Sequence, residues 1–139
     1  MTLTFLINRA VSDDSDTIEF MEKLPPQCPP ADAEDRELDS IYRYVASKEV
    51  DLDAFKSHAA LGKPCPIGVE PCRWASCSLK PHTNVLTKLP ALKDLKWAAK
   101  LKIPKGAGRS KMTKNHVDFW CTKGFDLTTA VLEVVKVDG

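Results

Sequence analysis

Trp97-Ala98-Ala99-Lys100-Leu101-Lys102-Ile103 is the stretch on which the reading of the fold turns. Trp97, Ala99, Leu101 and Ile103 alternate with Ala98, Lys100 and Lys102. Successive side chains of a strand leave opposite faces, so the spacing predicts a strand with one buried face and one lysine-bearing face. The same period recurs in His116-Val117-Asp118-Phe119-Trp120-Cys121. A third segment, 129–137, is apolar on both faces, which predicts a place near the centre of a sheet. Between the first two strands, Pro104 to Ser110 reads as a turn. Its Gly106 and Gly108, flanked by Lys105, Arg109 and Lys111, could offer amides to a phosphate, but they do not open a helix, and a hairpin turn is the preferred reading.

Toward the N-terminus the signals change to helical ones. Residues 2–8 read as a short strand. In 13–24, acidic residues precede Ile18, Phe20, Met21 and Leu24, the order expected of a helix that complements its own dipole. Pro25, Pro26, Pro29 and Pro30 then make 24–33 an extended connector. Leu38, Ile41, Tyr42 and Val45 recur at helical spacing and predict a helix over 33–47, with a strand as the alternative for 41–45. Asp51 is placed to cap a helix that ends at Gly62 and Pro64. Residues 73–79 read as a strand and 83–95 as a helix. Together these predict an α+β fold over one domain, 1–139, with N-terminal helices packed on a mostly antiparallel sheet formed largely by the C-terminal half.

A chain of 139 residues, 43% hydrophobic and 28% charged, can bury a core and falls outside the composition of disordered segments. Its net charge of +1 conceals an asymmetry: residues 1–55 hold thirteen acidic and five basic side chains, residues 79–114 ten basic and one acidic. The preferred reading is two halves that pack on each other or face different solvent. The same asymmetry suits a protein partner, or a nucleic acid bound through Lys88, Lys93, Lys96, Lys100 and Lys102, with Trp97 available for stacking. The apolar run 3–7 is too short to span a membrane and has no basic residue ahead of it, so a cytoplasmic protein is expected. Five cysteines, an odd number, are read as reduced thiols.

Two constellations could carry chemistry. Cys65, Cys72, Cys77 and His82 are a valid tetrahedral donor set, but their spacing is unlike the paired knuckles of zinc fingers. On a strand, Cys72 and Cys77 would also leave opposite faces, so no metal is assigned. The second follows from strand parity. Trp74, Ser76 and Ser78 share one face of 73–79, as do His116, Asp118 and Trp120 of 116–121. Were the strands neighbours, these faces could line a cleft with His116 as acid, base or donor. In the plainer alternative they cover a packed or solvated surface. His58 is read as an ordinary helix residue.

The order Tyr42-Arg43, then Asp53-Ala54-Phe55-Lys56-Ser57, Trp74 through Leu79, Gly106-Ala107-Gly108-Arg109 and His116 through Trp120 resembles that of a group of small uncharacterised bacterial proteins. The layout is more faintly similar to the ADP-ribosyltransferase superfamily. That resemblance implies a nicotinamide nucleotide held by Arg43 and by Ser76 or Ser78. The family's catalytic glutamate has no counterpart, since Glu133 falls in the strand expected to be central. The functional expectation is therefore a small interaction or accessory domain with segregated acidic and basic surfaces. The alternatives are an NAD-using enzyme and a nucleic-acid binder.

Overall fold

The computed structural model describes residues 18–81 and 95–137. Within them lie six strands, β1 (Leu38–Val45), β2 (Cys77–Leu79), β3 (Trp97–Ile103), β4 (Gly108–Thr113), β5 (His116–Cys121) and β6 (Val131–Lys136). They form two antiparallel sheets of three strands, ordered β1-β3-β6 and β2-β5-β4. The only α-helix among the described residues is the single turn α1 (Pro71–Trp74), with 3-10 turns at Leu52–Phe55 and Leu127–Ala130. The expected layer of N-terminal helices on a sheet is therefore overturned: the described chain is mostly β.

Particular contacts explain the difference. β1 pairs with β3 through a register shift between Leu38 and Ile41, so its buried side chains are three positions apart there. A bulge inserts one residue into the alternation and so imitates helical spacing. The helix expected after Asp51 stops at Phe55, where Lys56 is extended. Beyond it, buried Ser57 is held by Glu22, whose carboxylate accepts from the Ser57 amide at 2.9 Å and from its hydroxyl at 2.5 Å. Tertiary bonds have taken donors that a longer helix would use. Pro71 suits the first helical position, so 71–74 turns before β2 begins and the strand expected from residue 73 is shortened.

Residues 18–24 are extended rather than helical where they meet β5: Met21 N–H donates to Cys121 O at 2.8 Å, and Phe20 bridges Thr122. The expected strand 2–8, residues 13–17 and the expected helix 83–95 up to residue 94 lie outside the described residues, and Leu95 is not helical.

The strands expected at 97–103 and 116–121 coincide with β3 and β5. Each is the central strand of its sheet, and both faces of β3 are used: Ala99, Leu101 and Ile103 are buried, and Ala98 packs with Tyr44 in a second cluster. β6, expected to be central, lies at an edge. The turn after Pro104 does not make a hairpin, because β3 and β4 belong to different sheets. Gly106 takes φ +94° there, and a side chain at Gly108 would collide with the Trp120 carbonyl and the Phe119 ring.

One core is common to both sheets. Phe55, Leu79, Leu101, Ile103, Val117 and Leu127 are completely buried within it. Two backbone bridges tie β1 and its lead-in to the other sheet. Tyr42 exchanges N–H and C=O with Lys80, both at 2.8 Å, and Glu34 does the same with Ser110 of β4, also at 2.8 Å. No helix among the described residues is long and apolar enough to cross a membrane.

The connector is laid along β4 by charge. Arg109 meets Asp35 at 3.4 Å, Lys111 meets Asp32 at 3.2 Å, and Asp39 at the start of β1 meets Lys102 at 3.8 Å. The acidic first segment and the basic later one thus pair with each other at these points. The connector is also tied covalently, because Cys28 and Cys72 form a disulfide. The expectation of reduced thiols fails for this pair, while Cys65, Cys77 and Cys121 are free.

Candidate functional site

β2 and β5 are neighbours, with Ser78 opposite Asp118 and Leu79 opposite Val117. Carrying that register one residue further sets Lys80 opposite His116. Odd positions of β5 enter the core as Val117, Phe119 and Cys121. His116, Asp118 and Trp120 therefore share the other face, beside Ser76, Ser78 and Lys80. Helix α1 covers part of it. The Trp120 indole N–H donates to the Cys72 carbonyl at 3.1 Å, and Arg73 Nε meets Asp118 Oδ2 at 3.3 Å.

Beneath α1 runs a line of polar contacts. Lys80 Nζ lies 3.0 Å from His116 Nδ1, and His116 Nε2 lies 2.9 Å from Asp118 Oδ1. Ser76 Oγ is 2.9 Å from the same carboxylate oxygen and 2.8 Å from the Arg73 carbonyl, two acceptors for its single proton. A neutral His116 with its proton on Nε2 satisfies both neighbours, donating to Asp118 and accepting from the Lys80 ammonium. The Asp118 side chain is 5% exposed. Burial by itself would raise its carboxyl pKa, but the hydrogen bond of His116, the charge that ring carries when protonated, the Ser76 hydroxyl and Arg73 outweigh it and hold the group below the ordinary carboxylate value. At the other end, burial pulls the Lys80 ammonium below its usual value, opposed by the charge of Asp118 and aided by that of Arg73.

Lys80 and His116 open onto a cleft of about 720 Å³, with Arg43 and Ser78 at the same end. Its other walls include Tyr44, Val45, Leu61 and Leu95, which are largely apolar, and Lys63, Glu49, Asp51 and Asp53 also line it. Burial pushes the Tyr44 phenol up to about 12. His58 stacks on Trp74 with ring centroids 4.4 Å apart, and its imidazole is shifted down by burial and by the charges of Lys63 and Arg43. The expectation of His58 within a helix gives way to a loop residue on the cleft wall.

The expected site residues divide into three groups. Ser76, His116 and Asp118 join the buried line, and Ser78 and His116 reach the cleft. Arg43 lies on β1, not at a helix end, and is largely committed: Nε donates to Ala54 O at 2.9 Å, Nη1 to Ser78 O at 2.9 Å and Nη2 to Lys56 O at 3.0 Å. Three of its N–H groups are thus spent on main-chain carbonyls, joining β1 to β2, to the 3-10 turn at Ala54 and to Lys56 just after it. Trp74 and Trp120 are not cleft residues, and they fasten α1. The Trp74 indole donates to Lys63 O at 2.9 Å.

Lys80 and Arg73 were not singled out from the sequence. For Lys80 a signal existed, since it continues the parity of Ser76 and Ser78.

The candidate metal set does not assemble. Cys72 is in the disulfide, Cys77 lies in the core with its thiol pushed up by burial, Cys65 is exposed, and His82 is outside the described residues. Among the described residues no group of three or more histidine, cysteine or acidic side chains is arranged to hold a metal ion. Of the lysines proposed for nucleic acid, Lys102 is paired with Asp39, Lys96 directly precedes β3, Lys100 lies within it, and Lys88 and Lys93 are outside the described residues. No family model, curated protein or solved structure matches the chain.

Proposed function

We propose that the protein binds a small organic molecule in the cleft beside β2 and β5, with Lys80 and His116 as an acid–base pair facing the ligand. One observation carries this reading: the Lys80–His116–Asp118 line, which runs from a buried carboxylate to an amine at the wall of a cleft of about 720 Å³. That volume suits a small ligand, and an apolar wall with a few convergent polar groups is the usual character of such sites. Asp118 orients the imidazole and stabilises it when protonated, as a buried carboxylate does for a catalytic histidine. His116 can then pass a proton to or from Lys80 or a ligand atom beside it.

The readings drawn from charge asymmetry have less support. Part of the asymmetry is used inside the molecule, in the pairs of Asp32, Asp35 and Asp39 with Lys111, Arg109 and Lys102. An NAD-using enzyme would ask Arg43 to hold a nucleotide, whereas three of its donors already serve carbonyl oxygens. The Cys28–Cys72 bond bears on location. Disulfides persist in oxidising compartments, so it favours one of these over the expected cytoplasm.

Protein-observed NMR with benzoate, indole and benzaldehyde tests the reading. Saturable shifts should concentrate at Tyr44, Leu61, Lys80 and His116. Shifts scattered over the surface, or none at millimolar fragment, would remove it.

A further inference from the structure

We infer that Lys80 is a carbonyl-capturing nucleophile, and that the class of compound it takes is an aldehyde with an apolar body. The inference rests on the cleft reading above and makes it more specific. An anion site would keep its ammonium charged and well supplied with acceptors. Here the amine is half-buried and has His116 Nδ1 at 3.0 Å, and the opposite nitrogen of that ring is held by a nearly buried carboxylate. A proton leaving Lys80 therefore has a destination, and the imidazolium formed is paired with Asp118. Burial of the ammonium favours the same transfer. The lone pair exposed by it lies at a cleft whose body is walled by Tyr44, Val45, Leu61 and Leu95, which suits an aromatic or aliphatic group.

The chemistry closes without another reactant. Lys80 gives a proton to His116, and its neutral nitrogen attacks the carbonyl carbon, forming the C–N bond as the C=O π pair moves to oxygen. A proton passes from nitrogen to that oxygen. The His116 imidazolium returns its proton to the resulting hydroxyl, water departs, and a protonated imine remains on Lys80. One ammonium and one aldehyde have become one iminium and one water.

The test is reductive trapping on the intact wild-type protein near neutral pH, with benzaldehyde as probe and cyanoborohydride as hydride donor, read by mass and peptide mapping. Lys80 should be modified at least about tenfold faster than the exposed lysines Lys102 and Lys114, and glyoxylate, an aldehyde without an apolar body, should lose that selectivity. His116→Gln, checked for retained fold by circular dichroism, should slow Lys80 labelling by about tenfold. Labelling of Lys80 no faster than of Lys102, or a rate unchanged in His116→Gln, overturns the inference. Benzoate binding by NMR separates the two levels: if it persists while selective trapping fails, only the covalent step is lost, and if both fail, the cleft reading is lost as well.

Discussion

Two segments lie against the sheet β2-β5-β4, and they are held by different physics. Helix α1 sits over β5 through groups removed from water: Asp118, 5% exposed, the Ser76 hydroxyl and the Trp120 indole bonded to Cys72 O. The connector, running to Glu34, lies along β4 through one backbone bridge and charge pairs such as Lys111 with Asp32, 43% and 66% exposed. In water a charge pair gains little over hydration, whereas a buried carboxylate stripped of its donors is left with its whole desolvation cost. The helix should therefore be fixed by a few irreplaceable contacts and the connector by many weak ones. The Cys28–Cys72 disulfide joins the two, and it is the first place to break the comparison.

Cys28→Ser releases a loop of 44 residues of sequence separation. Loop-closure arguments assign such a bond about 2–4 kcal/mol. Urea unfolding should show a loss of that size, and the same shift should follow on adding reductant to the wild type. The two segments should then respond differently. Limited proteolysis should cut the connector in the variant, while slow exchange of the Trp120 indole proton should show α1 still docked. Loss of indole protection together with connector cleavage would mean that the buried contacts do not suffice to hold the helix.

Asp118→Ala attacks the helix side directly. It leaves the His116 Nε2 proton and the Ser76 hydroxyl without their carboxylate acceptor and removes the Arg73 ion pair, at a cost of about 2–3 kcal/mol in unfolding free energy. In this variant the indole should exchange quickly while the connector stays resistant to protease, the reverse of Cys28→Ser. It should also blunt selective trapping of Lys80, because the imidazolium loses its counter-charge.

The sequence made parts of this arrangement visible and hid others for identifiable reasons. β3 and β5 were legible because apolar residues recur at every second position, Ala99, Leu101 and Ile103 in one and Val117, Phe119 and Cys121 in the other. Parity alone put Ser76 with Ser78 and His116 with Asp118, but the pairing of β2 with β5 that joins the two faces was not legible. β1 was obscured by the bulge between Leu38 and Ile41, which substitutes a three-residue spacing for a two-residue one. The turn after Asp51 was obscured by Glu22, a partner 35 residues from Ser57 that no local pattern announces. The edge position of β6 depends on pairing that its composition does not encode. Pairing of Cys28 with Cys72 likewise depends on where the connector lies, and an odd count of thiols argued the other way.

pH separates the segments next. The folded Asp118 carboxyl is held below its ordinary value, so its contribution is present above the unfolded pKa, about 4, and is lost as pH falls through the folded value. Unfolding midpoints at about pH 6 and about pH 3 should differ more in the wild type than in Asp118→Asn, which cannot titrate there. Equal acid losses in both proteins would place the acid-sensitive carboxylates elsewhere, for instance in the connector.

The smallest effects belong to the charges of the connector and of Asp35 just beyond it, and they should be graded by exposure. Arg109 and Asp35 are 32% and 31% exposed, and Asp35 also accepts the Gly106 amide, so a double-mutant cycle to alanine should give a coupling of about 0.5–1 kcal/mol. Lys111 with Asp32 is more open to solvent and should give about 0.2–0.5 kcal/mol, falling further when salt is raised. If the more exposed pair proved the stronger, or neither responded to salt, the connector would be held by something other than surface charge. The backbone exchange between Glu34 and Ser110 would then be the contact that positions it, and proline at Ser110, which removes that amide, should free the connector while leaving both charge pairs in the sequence.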